Sequence, residues 1–167
     1  MTGLMTRMLT ALGLSLFVIA THAEQTCNEA VVATAPDSRF QDRGDGTVTD
    51  RKTGLTWKRC AEGLSGPDCA DGSAETFSWQ AALQQAADSD QWRLPNKNEL
   101  ASLVERRCYD PAINEDFFPN TPSSAFWSSS PDAYFSSSAW LVNFLHGYVD
   151  YFGKNRDRRV RLVRAGQ

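Results

Sequence analysis

Histidine is almost missing from this chain: two in 167 residues, of which His22 lies in an N-terminal apolar stretch. That leaves His146 alone in the body of the protein. A zinc site needs three or four clustered ligands, and a catalytic base needs a positioned nucleophile beside it. His146 has neither within reach in the sequence, and its neighbour Gly147 marks it as a turn residue. The serine runs Ser128-Ser129-Ser130 and Ser136-Ser137-Ser138 lack the glycine spacing of a nucleophile elbow and read as loop and strand-edge polarity. The Asp42 to Asp50 segment offers only one of the first three oxygen ligands of a calcium loop, since Gly44 and Gly46 stand in the other two places, so it reads as a polar turn. No catalytic residue, metal ligand or cofactor is therefore assigned, and the chain is read as a non-enzyme.

Long apolar runs are lacking too. The longest, Met8 to Ala20, falls short of the ~20 residues of a membrane span. Preceded by Arg7 and followed by Thr21-His22-Ala23, it makes residues 1–23 a secretory signal peptide. Lipidation would need small residues directly before a cysteine, whereas Glu24-Gln25-Thr26 precede Cys27. The expected product is an exported chain, periplasmic or at the cell surface, with no membrane span after signal removal. Its formal charge of −3 becomes one unit more negative when Arg7 leaves, which argues against a specific nucleic-acid partner.

What is present begins with four cysteines. An even number in an exported chain reads as two disulfides, for which three pairings exist. Cys60 and Cys69 bracket a turn-rich loop containing Gly63, Gly66 and Pro67 and make a natural local bridge. Cys27 is then left with Cys108, tying an N-terminal leader (24–38) to a domain at 39–167.

The segment Trp92-Arg93-Leu94-Pro95-Asn96-Lys97-Asn98-Glu99-Leu100 reads as a short strand entering a capped helix. Asn96 is the N-cap, Glu99 closes a capping box three residues on, and Pro95 and Leu100 flank it. Leu100, Leu103 and Val104 continue at helical spacing, with Arg106 and Arg107 placed to suit the negative end of the helix dipole. An earlier helix starts at Ser78 and carries Trp79, Ala82, Leu83 and Ala86 on one stripe, ending near Ala87. Before the helices, Thr47–Asp50 and Leu55–Lys58 read as a hairpin turned at Lys52-Thr53-Gly54. After them, an irregular proline-rich loop precedes four strands near Ala125–Ser128, Ala139–Phe144, Tyr148–Phe152 and Arg159–Arg164, expected to form one antiparallel sheet. The order hairpin, helices, loop, sheet, with the two ends close in space, is that of an α+β domain.

Several of these stretches together resemble the Lcl C-terminal domain family, named for the terminal domain of a bacterial collagen-like adhesin. They are Asp45-Gly46-Thr47-Val48-Thr49-Asp50, Thr53-Gly54-Leu55-Thr56-Trp57, the Trp92 to Leu100 corner, and Phe126-Trp127-Ser128-Ser129-Ser130. Ala139-Trp140, Val142-Asn143-Phe144 and Val160-Arg161-Leu162-Val163-Arg164 complete the set. The Arg-Leu-Pro corner and the last strand are also similar to the formylglycine-generating-enzyme group, which implies a C-type-lectin-like fold. The reactive cysteine pair of those enzymes has no counterpart here. The adhesin likeness implies a sulfated or acidic glycan as ligand, although this chain carries no collagen-like repeat.

Two groups of residues suit such a ligand. Lys154, Arg156, Arg158 and Arg159 form a basic loop able to hold sulfate or carboxylate groups, with Arg161 and Arg164 extending it into the last strand. Tyr134, Tyr148 and Asn143, near Phe135, Tyr151 and Phe152, suit stacking and hydrogen bonding to sugar rings. The tryptophans Trp57, Trp79, Trp92, Trp127 and Trp140 are assigned to packing. The chain is thus expected to be a binding module for glycans or other extracellular polyanions. The alternative is a structural or assembly component of the cell envelope that binds a protein partner.

Overall fold

The first sheet is built around the hairpin of Thr47–Asp50 and Leu55–Lys58. A computed structural model describes residues 25–88 and 91–166, so the expected signal peptide lies outside the described residues. Strands β1 (Thr26–Cys27), β2 (Phe40–Asp42), β3 (Thr47–Asp50) and β4 (Leu55–Lys58) open the chain. The β3–β4 hairpin forms where the sequence places it, with Val48 opposite Trp57 and both fully buried. β2 flanks β3, and the C-terminal strand β11 (Val163–Ala165) flanks β4, giving an antiparallel order β11-β4-β3-β2.

A second antiparallel sheet contains β8 (Ala125–Pro131), β9 (Ser138–Asn143) and β10 (Tyr148–Gly153) in the order β10-β9-β8. Gly147 turns β9 into β10 at φ +72°, and a Cβ there would lie 2.5 Å from Val104 Cγ1, so the turn is both left-handed and tightly covered. The fourth expected strand does not join this sheet. Val160, Arg161, Leu162 and Val163 are all buried, which no edge strand with one wet face could be. Instead the segment passes between the sheets. Trp127 N donates to Arg159 O, while Glu62 N and Lys58 N donate to Val160 O and Leu162 O.

The helices follow their caps. In α1 (Trp79–Ala87) the Ser78 hydroxyl accepts from Ala81 N, and Ala82 and Ala86 are buried against the second sheet. In α2 (Lys97–Ala101) Asn96 Oδ1 accepts from Asn98 N and Glu99 N, both at 2.9 Å, and Glu99 Oε2 accepts from Asn96 N at 2.8 Å. The Arg93 guanidinium grips the same Glu99 carboxylate with two bonds of 2.7 Å. This helix is shorter than its apolar spacing predicts. Past the Ser102 N to Asn98 O bond the ladder tightens and stops: Leu103 N and Val104 N bond Leu100 O and Ala101 O three residues back, Glu105 N turns to Ala112 O, and Arg106 N bonds Thr34 Oγ1. Arg106 and Arg107 therefore do not cap a dipole, and Arg107 pairs with Glu29 at 3.0 Å. Nor is Trp92–Leu94 a strand: Arg93 makes a single bridge to Val163.

Two core clusters lie on opposite faces of β8 and β9. Phe126 and Val142 meet Leu100, Leu103, Val104 and the first sheet, whereas Trp127, Ala139 and Leu141 meet α1, Val160 and Leu162. Both expected disulfides are present. Cys27–Cys108 joins β1 to β7 (Cys108–Tyr109), and Cys60–Cys69 closes a loop that holds β5 (Leu64–Ser65), which pairs with β6 (Asp71–Gly72) just beyond it. Glu105, fully enclosed, pins the leader by accepting from Thr34 N (3.1 Å) and Ala35 N (2.8 Å). The architecture is α+β, with short antiparallel sheets, two helices and two disulfides. No helix among the described residues is long and apolar enough to cross a membrane.

Candidate functional site

Among the described residues β10 is an edge strand, bonded to β9 on one side only, and Tyr148 to Phe152 are exposed on both of its faces. The register places Tyr151 opposite Trp140 and Phe152 opposite Ala139, so successive aromatic rings point to opposite sides. On the Tyr151 side a continuous row forms. Tyr134 stands edge-on to Phe135 (centroids 4.7 Å), Phe135 stacks on Tyr151 (5.5 Å), and Trp140 meets Tyr151 edge-on (5.6 Å). Lys97, from the first turn of α2, ends the row with Nζ 4.0 Å from the Trp140 ring centroid.

The outermost ring, Tyr134, is 87% exposed, and the loop that carries it is held from below. Asp132, itself buried, accepts from Tyr134 N at 2.8 Å and Phe135 N at 2.7 Å. Asp132 N donates to Ser138 O, and Ser138 N to Phe135 O. A short Asx turn therefore fixes the backbone while its aromatic side chains project into solvent.

Tyr148 and Asn143 form a separate pair, in which Asn143 Nδ2 donates to Tyr148 Oη at 3.0 Å. His146 stacks on Tyr148 at 6.5 Å and faces Tyr109 at 6.3 Å, as part of the β9–β10 turn. At strand spacing Tyr148 lies about 10 Å along β10 from Tyr151, so the structure does not join this pair to Tyr134.

The basic run is dispersed. Lys154 donates to Ser136 O at 2.7 Å and lies 4.5 Å from the Trp79 ring, bracing the 132–138 loop. Arg156 is exposed and has no side-chain hydrogen bond among the described residues. Arg158 covers the Phe152 ring at 4.4 Å on the far face of β10. Arg159, half-buried, donates to Ala74 O. Arg164 lies over Trp92 at 4.8 Å and donates to Gln91 Oε1. Arg161 corrects the expectation that it extends the basic surface: it is fully buried and donates to Lys58 O at 2.9 Å and Thr121 Oγ1 at 2.7 Å. Burial pushes its pKa down to about 9, with Glu62 opposing.

Sequence reasoning passed over three members of this surface. Lys97 was hidden inside a helix-capping motif and Trp140, half-buried here, was counted as core. Asp132 carried a readable signal, an aspartate two and three residues ahead of the aromatic pair. Among the described residues no three histidine, cysteine, aspartate or glutamate side chains gather as a metal site.

This surface lies within the segment that relates the chain to a known family. No match is found among the curated proteins. The model of the family described as "Lcl C-terminal domain" matches residues 46–164, running from the turn before β3 through the α2 corner and the aromatic hairpin to β11. With most of its length so covered, the chain belongs to the Lcl C-terminal domain family.

Proposed function

We propose that this protein is an exported, non-catalytic binding module of C-type-lectin-like architecture, and that it holds glycan chains on the Tyr134–Phe135–Tyr151–Trp140 row. One observation carries the reading: large aromatic side chains stand exposed on a backbone locked by a buried aspartate. A ring so presented meets a sugar face with little entropy left to lose. Lys97 at one end and Lys154 behind the loop favour chains bearing sulfate or carboxylate groups. Arg156 adds an uncommitted guanidinium nearby in sequence. The family's association with an adhesin and the two disulfides support an extracellular setting.

A second reading, assembly with an envelope protein, draws on β10 as an edge strand with unpaired backbone groups on its outer side. One experiment separates the two: retention of the oxidised protein on sulfated, carboxylated and neutral polysaccharides at low and physiological salt. Tyr151→Ala and a variant with Lys154, Arg156 and Arg158 changed to Ser are run beside it. Retention on acidic polysaccharides, weakened by salt and lost in Tyr151→Ala, supports the aromatic row as the site. No retention by the folded wild type overturns it in favour of the protein partner.

A further inference from the structure

Away from the aromatic row, a cleft of about 560 Å³ opens between the Cys60–Cys69 loop and the irregular segment that follows β7. This lies in the range of small-molecule sites. Leu64 and Ala70 form one apolar wall, and Pro111 and Pro122 the other. Both walls are fixed. The disulfide closes the first, where Gly72 turns at φ +87° with no room for a Cβ against Gly63 O. Asn120 Nδ2 donates across to Asp68 O at 2.7 Å, and Thr121 Oγ1 is held between Phe118 O and the buried Arg161 guanidinium.

The charged side chains that line the cleft are of one sign. Asp110 and Glu115 line it, and no Lys or Arg does. Glu115 is half-buried with no hydrogen-bond or ion-pair partner among the described residues. Burial, then Asp110 and Asp116, raise its pKa above the ordinary glutamate value. A carboxyl that is desolvated and unpaired inside a formed cleft marks a group waiting for a counter-charge. A hard divalent ion would need more oxygen ligands than two carboxylates supply, and no three-residue metal cluster occurs among the described residues. The apolar walls instead suit a carbon stem.

We propose that this cleft binds a small organic ammonium ion, a primary amine on a short apolar stem, with Glu115 as its carboxylate partner, Asp110 beside it, and Asn120 Oδ1 as a further acceptor. The site is independent of glycan binding on the aromatic row. Backbone amide NMR of the oxidised protein, titrated with cadaverine and separately with neutral pentanediol, tests it. Saturable shifts at Leu64, Ala70, Glu115 and Asn120 are expected with cadaverine at millimolar concentration or below. They should weaken at least about tenfold in Glu115→Gln, a loss typical of removing a charge-assisted contact. Glucosamine in a parallel titration tells an amino sugar from an aliphatic amine, and either response at these residues supports the site. No response to either amine, equal response to pentanediol, or undiminished binding by Glu115→Gln would overturn it. Tyr151→Ala must leave the cadaverine response unchanged, which keeps this outcome separate from that of the polysaccharide experiment. Glu115→Gln removes an unpaired half-buried charge, so its fold is retained, and thermal unfolding verifies this.

Discussion

Arg39 and Asp50 meet as a two-point fork inside the protein, Nε to Oδ1 at 2.8 Å and Nη2 to Oδ2 at 2.5 Å. Asp50 is fully buried and Arg39 nearly so. The same guanidinium reaches Ser102 O, so one ion pair joins the start of the domain, the β3–β4 turn and the end of α2. Desolvation is the largest single influence on Asp50 and acts to raise its pKa. The hydrogen bonds from Arg39 and then Thr53 outweigh it, and the carboxyl sits below its ordinary value. Its contribution to stability is therefore full above the unfolded aspartate pKa, about 3.9, and is lost as pH falls through the lower folded value. Asp50→Asn should cost about 3–5 kcal/mol at neutral pH by leaving a buried guanidinium without its counter-charge. Denaturant unfolding from pH 7 down to pH 2 checks both points, because the variant's stability must fall less steeply below about pH 4 than the wild type's.

The α2 corner makes a second prediction, of smaller size. Asn96→Ala removes two hydrogen bonds to the first turn and should cost about 1 kcal/mol. Glu99→Gln keeps a reach to Asn96 N but loses the paired charge of Arg93. Glu99 holds its pKa low chiefly through that Arg93 bond, against desolvation. Because Arg93 is substantially exposed, the loss should be well under about 1 kcal/mol. Thermal melts of the two variants should rank them in that order.

This corner also shows what could be read in the sequence and what could not. Asn96, Glu99, Ser78 and the β3–β4 turn act on neighbours within a few residues, and local chemistry of that range is written directly in residue order. Beyond α2 the amides have tertiary partners that compete with the helix: Glu105 N bonds Ala112 O, and Arg106 N bonds Thr34 Oγ1, 72 residues away in the chain. Spacing alone therefore overextends the helix. Arg161 misleads for a related reason: among other basic residues it reads as surface charge, yet its partners are main-chain carbonyls brought from β4 by the fold. Of the candidate site, Tyr134 was legible through its polar surroundings. The row that joins it to Trp140 depends on the β9–β10 register, which periodicity does not supply.

The two disulfides should contribute unequally. They close separations of 81 and 9 residues, worth about 4.5 and 2.7 kcal/mol in the chain-entropy account. Replacing Cys27 and Cys108 by Ser should lower the denaturant midpoint more than replacing Cys60 and Cys69. The reverse order would mean that the smaller loop is held in the native state by more than its own closure.

Asp132 separates the role of the aromatic row from the stability of the fold. Its carboxylate accepts from two consecutive amides, Tyr134 N and Phe135 N, at the base of a loop whose outer residues are exposed. The flanking bonds from Asp132 N to Ser138 O and from Ser138 N to Phe135 O remain when the side chain is removed. Asp132→Ala should therefore loosen Tyr134 and Phe135 without opening the β8–β9 pairing, and cost about 1–2 kcal/mol. If the row binds glycan through prearranged rings, retention on acidic polysaccharide should fall much more than this stability loss implies, because the ordering entropy is then lost at each binding event. Asp132→Asn, which keeps an acceptor at the same place, should restore most of it. Equal retention by wild type and Asp132→Ala, with the loop shown by amide exchange to have loosened, would mean that the rigid presentation of Tyr134 and Phe135 has no part in binding.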